Sequence, residues 1–201
     1  MSFIGIATSH RETVVPDNSD YAKAFEMLRL FSARTQPLDI ELNSSELSNC
    51  DYLLVGEPHS LLSENEILAV RKWLNDGGSL LMIAAFGGDA APAGKTHDRT
   101  NLNDIVPGLT FLDNCLGIDR GVGQGKPFDT KMPVPIRSLT GGEEILCYDT
   151  GCSIDVKNGL DWRHVLRAPN NATRVEGVRL IGNNVSARNP YPVKAAGEIL
   201  L

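Results

Sequence analysis

Three short apolar runs in this chain each end in residues able to move protons. Phe3–Thr8 leads into Ser9-His10-Arg11, Tyr52–Val55 into Gly56-Glu57-Pro58-His59, and Ser79–Ala85 into Phe86-Gly87-Gly88-Asp89. Imidazole titrates near neutrality, and a carboxylate beside it can orient or share its proton. Two histidines, a glutamate and an aspartate brought to one edge would therefore suit general acid–base work. The candidate ligand-binding set is Ser9, His10, Glu57, His59, Gly87, Gly88 and Asp89. The plainer reading of the same residues is that they are polar loop groups capping strand ends, which folds of this kind always carry.

Other motifs fall short of a chemistry. The stretch Gly121-Val-Gly-Gln-Gly-Lys126 lacks the glycine a phosphate loop needs where Arg120 stands, and has Pro127 where the hydroxyl belongs. No helix is expected after it to supply amide donors. There is no G-x-S-x-G elbow. Cys147 and Cys152 have the spacing of half a zinc site with no second half nearby, so no metal is expected. Cys152 has no base next to it in sequence and reads as a core thiol. The four cysteines fit no compact disulfide framework, and the first residues show no secretory signal. Together these point to reduced thiols and a cytoplasmic protein.

The elements that would position the strand ends can be read from hydrophobic periodicity. Phe3–Thr8, Tyr52–Val55 and Ser79–Ala85 are nearly continuous apolar runs, as in strands buried on both faces. Tyr21, Ala24, Phe25, Leu28 and Phe31 recur three or four apart, predicting a helix over about 19–33. Leu38–Leu42 alternates like an edge strand. Ser63 and Glu66 form an S-x-x-E capping box. Ile67, Val70, Trp73 and Leu74 supply the buried stripe that follows, and Gly77 or Gly78 ends the helix. Strand and helix thus alternate over residues 1–90, which predicts a parallel sheet with right-handed crossovers. Leu102–Val106 reads as a short helix. Val134–Leu139, Ile145–Tyr148, Ser153–Val156 and Val178–Ile181 read as short strands of antiparallel type. Residues 117–135 and 157–175 read as loop, and the tail beyond Pro190 as weakly specified.

Composition narrows the function classes. The chain has 201 residues, 42% of them hydrophobic, which is enough to bury a core and too much for a disordered chain. A formal charge of −6 argues against nucleic-acid binding. No apolar run approaches the length of a membrane span, so no membrane insertion is expected.

Several of these stretches carry a resemblance. Ser9-His10 follows the first strand. Asp51–Gly56, then Leu62–Ile67, then Trp73–Leu81 give the order strand, capped helix, Gly-Gly, strand. Leu102-Asn103-Asp104 is followed by Leu116-Gly117-Ile118. In this order the chain resembles the class I glutamine-amidotransferase-like superfamily. More narrowly, it is similar to the flavodoxin-like domains of intraflagellar-transport and gliding-motility transport proteins. The resemblance covers about residues 3–120. It implies a flavodoxin-like three-layer α/β sandwich with a mostly parallel sheet. Amidotransferases end the strand after the Gly-Gly turn in an elbow bearing the nucleophilic cysteine. Here that segment is Met82–Gly87, with Ala84 in the nucleophile's place. The resemblance therefore implies the fold and argues against glutaminase chemistry, since no covalent acyl intermediate can form on alanine. The trehalose-utilisation-type domains also lack that cysteine and are similar in placing a histidine where His59 stands.

The expectation is one α/β domain over residues 1–201, with a core over 3–120 and a loop-rich, β-rich part with antiparallel strands over 121–201. It is expected to be a non-catalytic domain binding a small ligand or a protein, with no catalytic residue assigned, no cofactor, and possible self-association. The alternative is a hydrolase or isomerase acting on a carbohydrate-like substrate at the strand ends.

Overall fold

The computed structural model describes residues 2–30, 33–84, 100–112, 114–119, 128–129, 132–137, 143–148, 151–157, 166–181, 184–195 and 199–200. The chain divides into two compact units, one of Met1–Ala84 with Asp98–Pro107 and one of Ala85–His97 with Gly108–Leu201. The strands after Pro107 pair among themselves.

In the first unit β1 (Phe3–Ala7), β2 (Arg34–Leu38), β3 (Tyr52–Gly56) and β4 (Ser79–Ile83) form a parallel sheet in the order β2-β1-β3-β4. The three apolar runs are neighbours, as their composition predicts: Ile4 pairs with Tyr52, and Leu54 with Leu81. Ile6, Val14, Phe25 and Leu54 form a buried cluster, with Ile4, Tyr21, Leu28 and Ile83 packed against it.

β2 corrects the expectation of a strand over Leu38–Leu42. It lies four residues earlier, in parallel register with β1 from Phe3↔Arg34 to Ala7↔Leu38. Leu38 is its last residue, and Pro37 is tolerated because β2 is an edge with one partner. Leu42 is buried, but as a loop residue whose amide is bonded elsewhere. α1 spans Ala22–Leu30, starting later than the predicted position 19, and among its described residues buries Phe25; Phe31, expected in its stripe, lies outside the described residues. α2 is a single turn, Ser44–Leu47, with Asn43 as its cap.

α3 (Glu64–Asn75) begins in the capping box expected of Ser63 and Glu66, with both reciprocal bonds made. Its buried face holds Glu66, Ile67 and Val70. Trp73 and Leu74, expected in that stripe, are only half-buried because the helix end reaches the margin of the sheet. Gly77, with φ of 105°, and Gly78 close the helix through amides bonded to Leu74 and Trp73 carbonyls. The predicted short helix is a 3₁₀ turn, Leu102–Asp104. It is held by Asn101, whose amide group bonds both the N–H and the carbonyl of Leu62 at 2.9 Å.

The second unit is antiparallel. Its strands are β5 (Leu109–Phe111), β6 (Asn114–Asp119), β7 (Phe128–Asp129), β8 (Met132–Arg137), β9 (Glu143–Tyr148), β10 (Ile154–Val156), β11 (Leu166–Arg167), β12 (Ala172–Ile181), β13 (Asn184–Lys194) and β14 (Ile199–Leu200). They form sheets ordered β11-β14-β10-β5 and β13-β12-β6-β7, with β8-β9 as a separate pair. Leu116, Val134, Ala168, Ala172 and Ala195 are a buried core. Asn114 and Ser153 are buried and bonded to each other twice, at 2.7 and 2.9 Å. Cys152 is buried, in the place expected of a core thiol.

Both loop expectations are corrected here: the stretch 117–135 holds the end of β6, all of β7 and the start of β8, and 157–175 holds β11 and the start of β12. The weakly specified tail beyond Pro190 completes β13 as far as Lys194 and then supplies β14. Pro190 and Pro192 hide β13 from a sequence reading, since neither can donate to a ladder. They fall where the register skips from Glu176↔Asn189 to Arg174↔Val193, a bulge that needs no donor from them. Among the described residues no helix is long and apolar enough to cross a membrane.

Candidate functional site

The sheet order places a topological switch point between β1 and β3, since the chain leaves β1 toward β2 and returns on the other side. In open parallel sheets the crevice outside the carboxyl ends at that point is where ligands bind. Here the segment after β1 runs into it. Val14 N–H donates to the Gly56 carbonyl at 3.2 Å, Thr13 N–H to that of Glu57 at 3.1 Å, and His59 N–H to that of His10 at 2.9 Å. Val14 is buried so close to Gly56 that a Cβ added there would lie 2.4 Å from its own Cβ. Glycine at 56 is thus what lets the loop seat. The interlock bends both chain segments hard: Arg11 and Glu57 take positive φ values of 56° and 51°, a conformation non-glycine residues rarely adopt.

The side chains around this interlock are bonded to one another. The His10 ring is buried, with Nδ1 2.9 Å from Ser9 Oγ and Nε2 3.2 Å from Glu66 Oε2. Glu12 is buried beside it. Its Oε2 accepts from the His10 backbone N–H at 2.9 Å, and its Oε1 lies 3.6 Å from Nδ1. Glu66 ties three segments together. Oε2 accepts from Ser63 N–H at 2.8 Å as well as facing His10, and Oε1 accepts from Leu42 N–H at 2.9 Å. Glu12 holds the His10 pKa above its ordinary value, with Glu66 adding to the effect and burial opposing it. Burial alone would raise Glu66. The Ser63 and Leu42 amides and the charge of His10 outweigh it, so the Glu66 pKa falls.

The consequence is chemical. A Ser–His couple in nucleophilic catalysis needs a neutral imidazole with its lone pair on the hydroxyl. The two carboxylates beside His10 favour its protonated form, and a protonated Nδ1 donates to Ser9 Oγ rather than taking its proton.

His59 is placed near His10 by the backbone bond, but its ring goes elsewhere: Nε2 lies 2.8 Å from Thr13 Oγ1. Burial raises the Glu57 pKa, and the Thr13 hydroxyl works against that rise. The fold therefore gathers Ser9, His10, Glu57 and His59 at one strand end. Gly87, Gly88 and Asp89 lie outside the described residues. Sequence reading misses Glu12, Thr13 and Glu66 as members of the cluster. Glu12 sits two residues from His10, and Glu66 reads in the sequence only as a helix cap. Among the described residues no group of three or more His, Cys, Asp or Glu could hold a metal ion.

No protein-family model and no curated protein matches the chain. Among solved structures it is similar to the mmIFT52 N-terminal domain, with a TM-score of 0.68 and 17% identity over 85% of this chain and 75% of that one. It is also matched to a putative GMP synthase component from Thermoplasma acidophilum, with a TM-score of 0.39 and 13% identity over 98% of this chain and 83% of that one. The first likeness is one of fold.

Proposed function

We propose that this chain is a non-catalytic binding domain on a glutamine-amidotransferase-like fold, and that its partner is a protein. One observation carries the reading: the switch-point crevice, where a small ligand would sit, is filled by the chain's own loop with Val14 over Gly56. The surrounding groups support it, since the buried His10 is paired with Glu66 at 3.2 Å and lies 3.6 Å from Glu12 rather than facing an open pocket. Ala84 adds to this, having neither hydroxyl nor thiol where the resembling amidotransferases carry their nucleophile. The likeness in fold to the mmIFT52 N-terminal domain is compatible with a binding role and assigns no partner.

The test is a thermal-shift panel of glutamine, nucleotides and neutral sugars, run beside an ammonia-release assay on glutamine. The expected result is no stabilisation and no turnover. A ligand that binds the native state raises stability by mass action. A saturable rise in melting temperature that disappears in Val14→Gly would place a small molecule at the crevice and overturn the reading, as would steady ammonia release.

A further inference from the structure

We propose that the opposite, amino-terminal edge of the parallel sheet is a docking cleft for an arginine-bearing segment of a protein partner. This deepens the binding role just proposed and rests on it. An open groove of about 790 Å³ lies there, entirely within the first unit, with Asp51, Tyr52, Lys72, Trp73, Asp76 and Ser79 among its lining. Clefts of this size suit compact ligands or single anchoring side chains.

Three features select a cation. The first is charge: among the lining residues the carboxylates of Asp76 and of Asp51, whose Oδ2 accepts from the Phe3 N–H at 2.9 Å, outnumber the one ammonium, that of Lys72. Lys72 lies 3.7 Å from Asp76 in an exposed pair that an incoming cation can replace at little cost. The second is the carboxyl end of α3, which the groove adjoins through Lys72, Trp73 and Asp76. The carbonyls of Lys72, Trp73 and Leu74 accept from the Asp76, Gly78 and Gly77 amides, and the aligned peptide dipoles of the helix give that end a partial negative charge. The third is the aromatic pair. Tyr52 is 47% exposed, and Trp73 is half-buried at the helix end. The indole is held in place by its Nε1–H donating to the Cys50 carbonyl at 3.3 Å, and by Gly78, where an added Cβ would come within 2.2 Å of the ring.

A fixed aromatic ring beside carboxylates suits a guanidinium, which stacks on the ring and bonds a carboxylate with two parallel N–H groups. Phosphate is disfavoured by the same charges. A bare metal ion is disfavoured because no group of three or more metal-ligating side chains occurs among the described residues. Tyrosine, tryptophan and arginine are also the residues that dominate protein interfaces when truncated.

The experiment is an amide and indole NMR titration of the whole chain with four blocked pentapeptides. They are acetyl-Gly-Ser-Arg-Ser-Gly-amide and its lysine, citrulline and glutamate counterparts. A neutral disaccharide is titrated in parallel. The arginine peptide is expected to shift the Trp73 indole and the Gly77–Ser79 amides saturably. The citrulline peptide, which keeps the shape and loses the charge, should bind roughly tenfold more weakly. Asp76→Lys, an exposed change that leaves the fold intact, should abolish the shifts. Trp73→Phe should weaken them.

No shift at millimolar arginine peptide overturns the docking site, as do equal shifts with the glutamate peptide or undiminished shifts in Asp76→Lys. Shifts of these resonances by the disaccharide but not the arginine peptide overturn it too. If the groove is silent while the small-molecule panel is also silent, only the docking site falls. A small molecule bound at the Val14 crevice overturns the binding-domain reading itself.

Discussion

At the carboxyl end of the parallel sheet the chain folds back over its own strands. Val14 covers Gly56, and His10, Glu12 and Glu66 are buried against one another. At the amino end the same strands open onto a groove with a half-buried tryptophan, an exposed tyrosine and exposed charges. The difference teaches that strand order alone does not place a site in an α/β fold. The switch point predicts a crevice, but loop length and one close approach decide whether it stays empty. At the filled end the polar groups are buried against one another. At the open end the Lys72–Asp76 pair is exposed and exchangeable.

The sharpest way to break this comparison is Glu66→Ala. It removes the acceptor for His10 Nε2, for the buried Leu42 N–H and for the Ser63 N–H, leaving His10 with Ser9 and Glu12 on its Nδ1 side alone. Truncating one side of a buried pair typically costs about 3–5 kcal/mol, and denaturant unfolding should show a loss in that range. A loss of surface size would mean the cluster is solvated and the end is not filled. Gly56→Ala comes next. Its Cβ would meet Val14 at 2.4 Å, and overpacking should cost about 2–3 kcal/mol. A neutral melt would show that the loop can lift away.

At the open end the effect should be smaller. Trp73→Ala should cost about 2 kcal/mol, below the ~3–5 usual for a buried aromatic, because the ring is half-buried. Ser63→Ala should cost about 1 kcal/mol through the lost cap, which bonds Glu66 N–H at 3.2 Å. If denaturant melts rank Trp73→Ala above Glu66→Ala, the assignment of filled and open ends is reversed.

The subtlest test is the pH profile of stability. The His10 pKa is raised, so its contribution is fully present below its ordinary 6.5 and is lost as pH climbs through the raised value. The Glu66 pKa is lowered, so its contribution is present above its ordinary 4.5 and is lost as pH falls through the lowered value. The wild-type advantage over His10→Gln should therefore be greatest between those two values and decline on both sides. An advantage that grows with alkalinity would mean His10 is neutral in the folded protein and free to act as a base.

The amino-acid order by itself determined the parallel core. Continuous apolar runs at Phe3, Tyr52 and Ser79 mark three neighbouring strands, although the Ser79 run, read as buried on both faces, forms the edge strand β4 of the described sheet with Leu81 half exposed, and the Ser63–Glu66 box marks where α3 begins whatever surrounds it. These are local properties, carried by periodicity and by a cap four residues long. The antiparallel unit was less legible, since β13 contains prolines that are admissible only because the partner strand's register skips opposite them. The site was legible in half. Ser9, His10, Glu57 and His59 could be named because strand ends are predictable. Their bonding to Glu12, Thr13 and Glu66 could not, because Glu66 lies more than fifty residues from His10 in sequence and meets it only when the start of α3 comes against the loop after β1. Whether the crevice is open was decided by tertiary structure alone: it depends on the distance between Val14 and the Cβ that Gly56 lacks, a contact between segments that no local pattern records.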